Sequence, residues 1–413
     1  MAIADLTDWL DQFSNPDFVW FVKRLSGNDT LANHAHQAGP YIPKEFLFQL
    51  FPSLNHPEIK NPEHRFPLFI DSHADTRKIR AVWYNNRLHG GTRNESRLTG
   101  FGGASSALLD ADSTGALTVF AFRIGADSEA SECHVWVCRD GTEEDLVEDR
   151  IGPVEPGKAL VWSARPGLLP HLFPPIMRVR ANCWLEVSEI PPEWLQEFPT
   201  GEALINKTVE LRPDSSLDPD RRLVRRRECE FEIFRSVEEA VEFPNIKTGF
   251  GNIDEFIARA QRILQRRRSR SGRSLELHAR TIFLEEGLKE GTQFAYQPAE
   301  ADPGKQGPDF LFPSQGAYSD ASFPAARLRM LAVKTTLKDR WRQILREADR
   351  IPRKHLLTVQ EGVSVGQFNE MVEAGVQLVV PEPLKRAFPP SVQEHLQTIE
   401  SFIGDIRLLD LKA

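Results

Sequence analysis

Cysteine is scarce, with four in 413 residues. That is too few for a disulfide framework in so long a chain, and reduced thiols are expected. Cys133 and Cys138 bracket a strand-like stretch, and their odd separation directs them to opposite faces of a sheet. Even with His134 between them, the pair reads as core rather than as a metal site. No run of about 18 uncharged apolar residues occurs, which leaves no membrane-spanning helix. The start, MAIADLTDWLDQF, carries acids where a secretory signal needs a basic end and an apolar centre. A cytoplasmic location is therefore expected. A basic excess is lacking too: the formal net charge is -8. This argues against nonspecific coating of nucleic acid but leaves room for a specific DNA binder, where the local field decides.

What is present is a soluble globular composition, 40% hydrophobic and 27% charged, in a chain long enough for two or three domains. No internal repeat is found. The first part reads as β: residues 79–85 (IRAVWYN), 116–124 (ALTVFAFRI) and 133–139 (CHVWVCR) are β-branched and aromatic, separated by Gly/Asp/Ser turns. A compact sheet or barrel is expected there, with a helix near 5–13. Prolines crowd residues 153–199 and mark a hinge. Helical spacing then appears over 228–242, 253–268 and 274–287. Strands follow at 309–312 and 328–333, then a helix from about 338 to 350 with Trp341, Ile344, Leu345 and Ala348 on one face. Strands at 355–360 and 376–380 complete an α/β pattern. The expected division is 1–175, a linker over 176–200, and 201–413.

The chemistry concentrates between Gly307 and Glu347. Asp309 follows Pro308 at a strand start, and Lys334 ends the next strand. Adjacent strands would bring carboxylate and ammonium together at one sheet edge. Phosphodiester cleavage needs that combination: carboxylates for a divalent metal, and a cation near the scissile phosphate. Taken alone, Pro-Asp is a common turn and a strand-ending lysine is commonly solvated. The PD-(D/E)xK pattern also wants an acid two residues before the lysine, where this chain has Ala332. Glu347, on the helix that follows, and Glu276, on the earlier helix beside Leu275, Ala279, Ile282 and Phe283, could supply the missing charge. Taken alone, each reads first as solvated helix surface.

Several segments carry a more specific signal. LDPDRRLVRRRECEFEIF, SLELHARTIF, GPDFLFPSQGAYSD, LRMLAVKTTLKDRWRQILREAD and LLTVQEGVS resemble the nuclease domain of the EcoRII family of type II restriction endonucleases. KRLSGNDT, HQAGPYIPK, YNNRLHGGTRNESRLT and STGALTVFAF resemble that family's effector domain. The likeness runs in one order along nearly the whole chain, and the displaced acid is a family feature that accounts for Ala332. The resemblance implies an N-terminal mostly-β, B3-like barrel-type DNA-binding domain and a C-terminal α/β PD-(D/E)xK domain. It implies Asp309 and Glu347 as metal ligands, Lys334 as the catalytic lysine, Glu276 in support, and Mg2+ as cofactor. Products would carry 5′-phosphate and 3′-hydroxyl ends.

The same resemblance implies the target CC(A/T)GG, with its central pair flipped out of the stack, read by a homodimer. Lys338, Asp339 and Arg340, at a helix start just past Lys334, have the chemistry to read C·G pairs: cations donate to guanine and Asp accepts from cytosine. A capping Asp with salt-bridge partners is the alternative. In the first half, Arg24, Asn28, His36, Gln37 and Tyr41 form one loop group, and Arg80, Arg93, Asn94, Glu95 and Arg97 a second. Such mixed side chains suit base reading better than a lysine patch would. The resemblance makes them two recognition arms gripping a second copy of the site, which restrain the nuclease until it is bound. Gly91 and Ser96 stand where the family often carries lysines, which weakens phosphate contacts there.

The arginine run 259–273 reads as a solvated basic helix end or loop rather than a DNA contact. Tyr318 raises a covalent phosphotyrosine alternative, but no basic/His constellation accompanies it. The competing functional readings are a catalytically silent DNA-binding regulator and a repair or structure-selective nuclease. A cognate cytosine methyltransferase is expected in the same system, without direct contact.

Overall fold

A computed structural model describes residues 3–33, 39–163, 183–298 and 307–410. The chain forms two compact units. One comprises Met1–Arg178 with Gln360–Asn369 and Arg386–Glu394; the other comprises Val179–Val359 with Glu370–Lys385 and His395–Ala413. The block expected over 201–413 thus lends two short segments to the first unit.

The first unit is mostly β. Its strands are β1 Phe18–Arg24, β2 Glu63–Ile70, β3 Asp75–Tyr84, β4 Glu95–Thr99, β5 Leu117–Ile124, β6 Ala130–Val137 and β7 Ala159–Ser163. They join in the order β4-β3-β2-β6-β5-β1-β7, and β2 with β6 is the parallel pairing. Strand alternation divides the side chains between two cores. Phe21, Phe120, Phe122, Cys133 and Val135 fill one. Trp20, Val119, Trp136 and Cys138 fill the other, against Leu6, Trp9 and Leu10 of the Ile3–Phe13 helix. Cys133 and Cys138 are buried thiols outside any disulfide, in opposite cores, as their parity requires.

The second unit is α/β. Its strands are β8 Ala295–Tyr296, β9 Phe310–Phe312, β10 Arg329–Val333, β11 Lys354–Leu357 and β12 Val376–Val379, in the order β12-β11-β10-β9-β8. β10 runs antiparallel to β9 and parallel to β11. These strands are buried almost continuously, as expected where both sheet faces are covered. Leu275, Ala279, Ile282 and Phe283 pack on Phe310, Phe312, Leu331 and Leu357. Among the described residues no helix is long and apolar enough to cross a membrane.

Five expectations of local structure are corrected. The helices read over 253–268 and 274–287 are one helix, Ile253–Glu285. The arginine run lies in its middle rather than at an end or in a loop. There Arg259 and Arg266 pair with Glu242, Arg267 with Glu238 and Arg270 with Glu230, all on the Pro219–Thr248 helix. Cys183 and Cys229 form a disulfide instead of staying reduced. That bond sits in a small core of Leu185, Ile190, Leu204, Ile233 and Phe234, so the part of the expected linker from Cys183 onward is packed structure. Finally, residues Lys338–Arg346 form a 3-10 helix, not an α-helix.

Candidate active site

The second unit gathers the carboxylates at one end of β9 and β10. Asp309 immediately precedes β9, and its Oδ2 accepts a hydrogen bond from the Val333 amide at 2.6 Å. Lys334 follows directly, its own amide donating to the Leu357 carbonyl on β11 at 2.9 Å. The antiparallel pairing of β9 with β10 is what places the acid beside the lysine. Glu276 arrives from the Ile253–Glu285 helix and is buried, not solvated. Its Oε2 accepts from Gln297 Nε2 at 3.0 Å and from the Tyr296 hydroxyl at 3.4 Å. The Gln297 amide also donates to the Asp309 carbonyl at 2.8 Å. Gln297 therefore ties two of the acids together from a left-handed backbone conformation, φ +43°. No spacing or composition signal marks Gln297 or Tyr296 in the sequence.

Glu347 is not on a helix. It caps the C-terminal end of the 3-10 segment in an extended conformation and is 6% exposed. Its Oε2 is buried without a hydrogen-bond partner. Electrostatics join the four groups. Burial pushes Asp309 above the usual carboxylate range, against the pull of Lys334 and the Val333 amide. Burial, then the charge of Asp309, pushes Glu276 up, with Gln297, Lys334 and Arg273 opposing. Burial above all raises Glu347 to about 7; Asp309 adds to the rise, while Lys334 and Lys354 oppose it.

Among the described residues no three His, Cys, Asp or Glu side chains form a ready metal cage. Mg2+ does not need one: it keeps several waters and takes one or two carboxylates together with substrate phosphate oxygens. Asp309 and Glu347 have the chemistry of such a donor pair, and the orphaned Oε2 of Glu347 is the atom an ion there would satisfy. An ion bound by Glu347 would displace a proton from it. Below pH 7 metal affinity is expected to fall about tenfold per pH unit, a trend that calorimetry in buffers of different ionisation enthalpy would reveal as proton release. Without metal the sign for stability is the reverse of the common carboxylate case. The contribution is full below about pH 4.5 and is lost as pH rises through 7.

Lys338, Asp339 and Arg340 occupy the first turn of the 3-10 segment. The N-cap is Leu337, with no side-chain cap, so Asp339 does not cap; it is exposed and accepts from Arg342 at 3.3 Å. Tyr318 is 2% exposed, its hydroxyl accepting from the Arg350 amide and its ring lying under the Arg350 guanidinium. That burial supports the structural reading over a nucleophile.

In the first unit, the β3–β4 register puts Arg80, Tyr84, Glu95, Arg97 and Thr99 on one face, opposite the core residues Ala81 and Leu98. Arg80 donates to Glu63 at 2.6 Å and to Thr99 at 2.9 Å. Glu95 pairs with both Arg93 and Arg97. Burial raises Glu95, but Arg97 and Arg93 bring it below the carboxylate range. Arg93 lies over the Tyr84 ring at 3.5 Å. Arg97 also donates to the carbonyls of Asn28 and Gly39, and forms a bridge with the exposed Tyr41. Asn28 is exposed, and Asn94 accepts from the Trp83 indole at 3.1 Å. His36 and Gln37 lie outside the described residues. Arg24 does not belong to this face. It is 5% exposed, paired with Glu144 at 2.7 Å and Glu148 at 2.8 Å, and bonded to the Val154 carbonyl. Such a guanidinium is buried and bonded inside its own unit.

Two domain families match this chain in order: Restriction endonuclease EcoRII, N-terminal, over residues 14–166, and EcoRII C terminal over 234–403. The Type II restriction enzyme EcoRII of Escherichia coli is 42% identical over 410 residues, spanning 98% of each chain. Metal-depleted Ecl18kI in complex with uncleaved DNA aligns at a TM-score of 0.40 and 22% identity, covering 52% of this chain and 81% of that one. The UbaLAI restriction endonuclease B3 domain with cognate DNA aligns at 0.26 and 19%, covering 38% and 97%.

Proposed function

Because this chain belongs to the EcoRII family of type II restriction enzymes, and is thereby a site-specific deoxyribonuclease, we propose that it cuts duplex DNA at CC(A/T)GG with Mg2+. The observation that supports the catalytic assignment is the Asp309–Lys334 pair held across β9 and β10, with the partnerless Oε2 of Glu347 beside it.

Asp309 and Glu347 would hold the ion, which when bound activates water and stabilises charge on the phosphoryl oxygens. The Val333 amide fixes one Asp309 oxygen and leaves the other for its ligand. Lys334 presents a cation where negative charge develops in the transition state. Gln297 and Tyr296 orient Glu276, whose charge supports the same centre. Lys338, Asp339 and Arg340, one turn beyond Lys334, would read the C·G pairs. Each chain carries one such centre and a duplex has two strands, so two copies act on a symmetric site as a homodimer.

The β3–β4 face of the first unit would grip a second copy of the site through Arg80, Arg93, Asn94, Glu95 and Arg97, with Asn28 and Tyr41 alongside and His36 and Gln37 in the same expected arm. Its guanidiniums are pre-oriented by carboxylates, which favours base reading over loose phosphate contact. The restraint of the nuclease by this domain is part of the same reading. A host carrying the enzyme needs a cytosine methyltransferase to protect its own sites.

Incubation of the protein with plasmid and Mg2+, followed by end sequencing, tests the reading. Cuts confined to CC(A/T)GG with 5′-phosphate ends are expected. Cutting without sequence preference would favour a structure-selective nuclease, and no cutting a silent DNA binder. Removal of residues up to about 180, which spares Cys183, is expected to allow cleavage of single-site plasmids. An inert truncated protein beside an active full chain would refute the restraint.

A further inference from the structure

Glu347 sits in a turn, and a turn by itself does not hold a metal ligand still. What fixes it is a side chain that no sequence pattern indicates. Lys354 opens β11 and is 5% exposed, its amide donating to the Gly375 carbonyl at 3.0 Å. Its Nζ reaches back to donate to two successive carbonyls, those of Glu347 at 2.5 Å and Ala348 at 2.8 Å. Carbonyls just past a helical segment can be satisfied by a basic side chain; the Ala348 carbonyl also accepts from the Ile351 amide at 2.9 Å, so the ammonium adds a second bond to that turn. Burying an ammonium is costly unless its protons are used, and here two of them go to adjacent carbonyls of one turn.

That turn is strained. Ala348 has φ +47°, a left-handed conformation that a residue with a Cβ adopts only when its surroundings impose it. The strain lies one residue beyond Glu347. The ammonium bonds the backbone and its charge also favours the ionised carboxylate, whose Oε2 stays without a hydrogen-bond partner. The device therefore fixes where the acid stands while leaving its oxygen free for a ligand.

We propose that Lys354 is a positioning residue for the metal site: it clamps the Glu347 and Ala348 carbonyls, imposes the left-handed turn, and so aims the Glu347 carboxylate at the ion. The inference rests on the reading of Glu347 as a metal ligand. It assigns Lys354 no contact with DNA and no part in proton transfer.

The test measures Mn2+ binding by the full-length protein in the presence of a phosphorothioate duplex that is not cut, using electron paramagnetic resonance. Lys354→Met is expected to weaken Mn2+ binding 10- to 100-fold, the range found when groups that orient metal ligands are removed, and to raise the Mg2+ concentration for half-maximal cleavage by a similar factor. Affinity for the duplex in EDTA should be unchanged. Adding Ala348→Gly to Lys354→Met should recover a substantial part of the metal affinity, because glycine reaches φ +47° without a clamp. A purely structural lysine would not show that rescue. Lys354→Gln keeps an N–H donor group without the charge and should give an intermediate loss; it serves if the Met variant does not fold. Wild-type Mn2+ affinity in Lys354→Met or Lys354→Gln, or no recovery in the double variant, overturns the proposal. Glu347→Ala separates the two levels. If it too leaves Mn2+ binding intact, the reading of Glu347 fails; if it weakens binding while the Lys354 variants do not, only the clamp fails.

Discussion

Asp309→Ala or Lys334→Ala is expected to slow duplex cleavage by ~10^3-fold or more, while binding to the same duplex without metal changes little. The two residues stand at the junction of β9 and β10, and the Val333 amide bonds Asp309 directly. Removing Asp309 takes away a candidate ligand and frees that amide. Removing Lys334 leaves Asp309 and Glu347 as buried acids without the cation that opposes their protonation. Lys334→Ala should therefore shift the acid limb of the pH–rate profile upward as well as lower its plateau. Rates from quenched single-turnover cleavage, alongside a gel-shift titration in EDTA, check both parts. Residual cleavage within tenfold of wild type in either variant would remove this pair from the catalytic centre.

The second large effect is on stability, in the other unit. Arg24→Ala is expected to destabilise the mostly-β unit by about 3–5 kcal/mol, the usual cost of stripping one partner from a buried ion pair. Glu144 is 1% exposed and would lose its guanidinium while still accepting from the Leu117 amide. The Val154 carbonyl would lose its donor as well. Thermal or urea unfolding of the full chain, followed by tryptophan fluorescence, measures it, since Trp20 and Trp136 report on this unit's core. An Arg24→Ala protein of normal stability with weakened DNA binding would return Arg24 to the recognition surface.

The contrast between those residues shows what a sequence can reveal. Asp309 and Lys334 were legible because each is positioned by its own strand, and short apolar runs such as FLF and RMLAV announce themselves locally. The opposed cores holding Cys133 and Cys138 were legible for the same reason, since parity along a strand is a local property. Arg24 was not. Its partners lie 120 and 124 positions away, and a loop-flanking arginine looks alike whether it faces DNA or a buried glutamate. The segment after Lys334 was misread for a subtler reason. Trp341 and Ile344 are the residues it buries, and a spacing of three satisfies a 3-10 helix as well as an α-helix. Glu347 is thus a candidate through its spacing and the resemblance, while its extended backbone and the bonds of Lys354 to its turn are invisible in the sequence. The pairing of Cys183 with Cys229, 46 residues apart, is likewise a tertiary fact, as is the service of Gln297 to two acids.

The arginines on the Ile253–Glu285 helix bear on how any measured affinity should be interpreted. Salt weakens protein–DNA complexes in proportion to the condensed cations that phosphate contacts set free. Arg259, Arg266, Arg267 and Arg270 are already engaged by Glu230, Glu238 and Glu242, so they have little to offer a phosphate. These four arginines should consequently add little to the slope of a KCl titration, which would count side chains elsewhere on the chain.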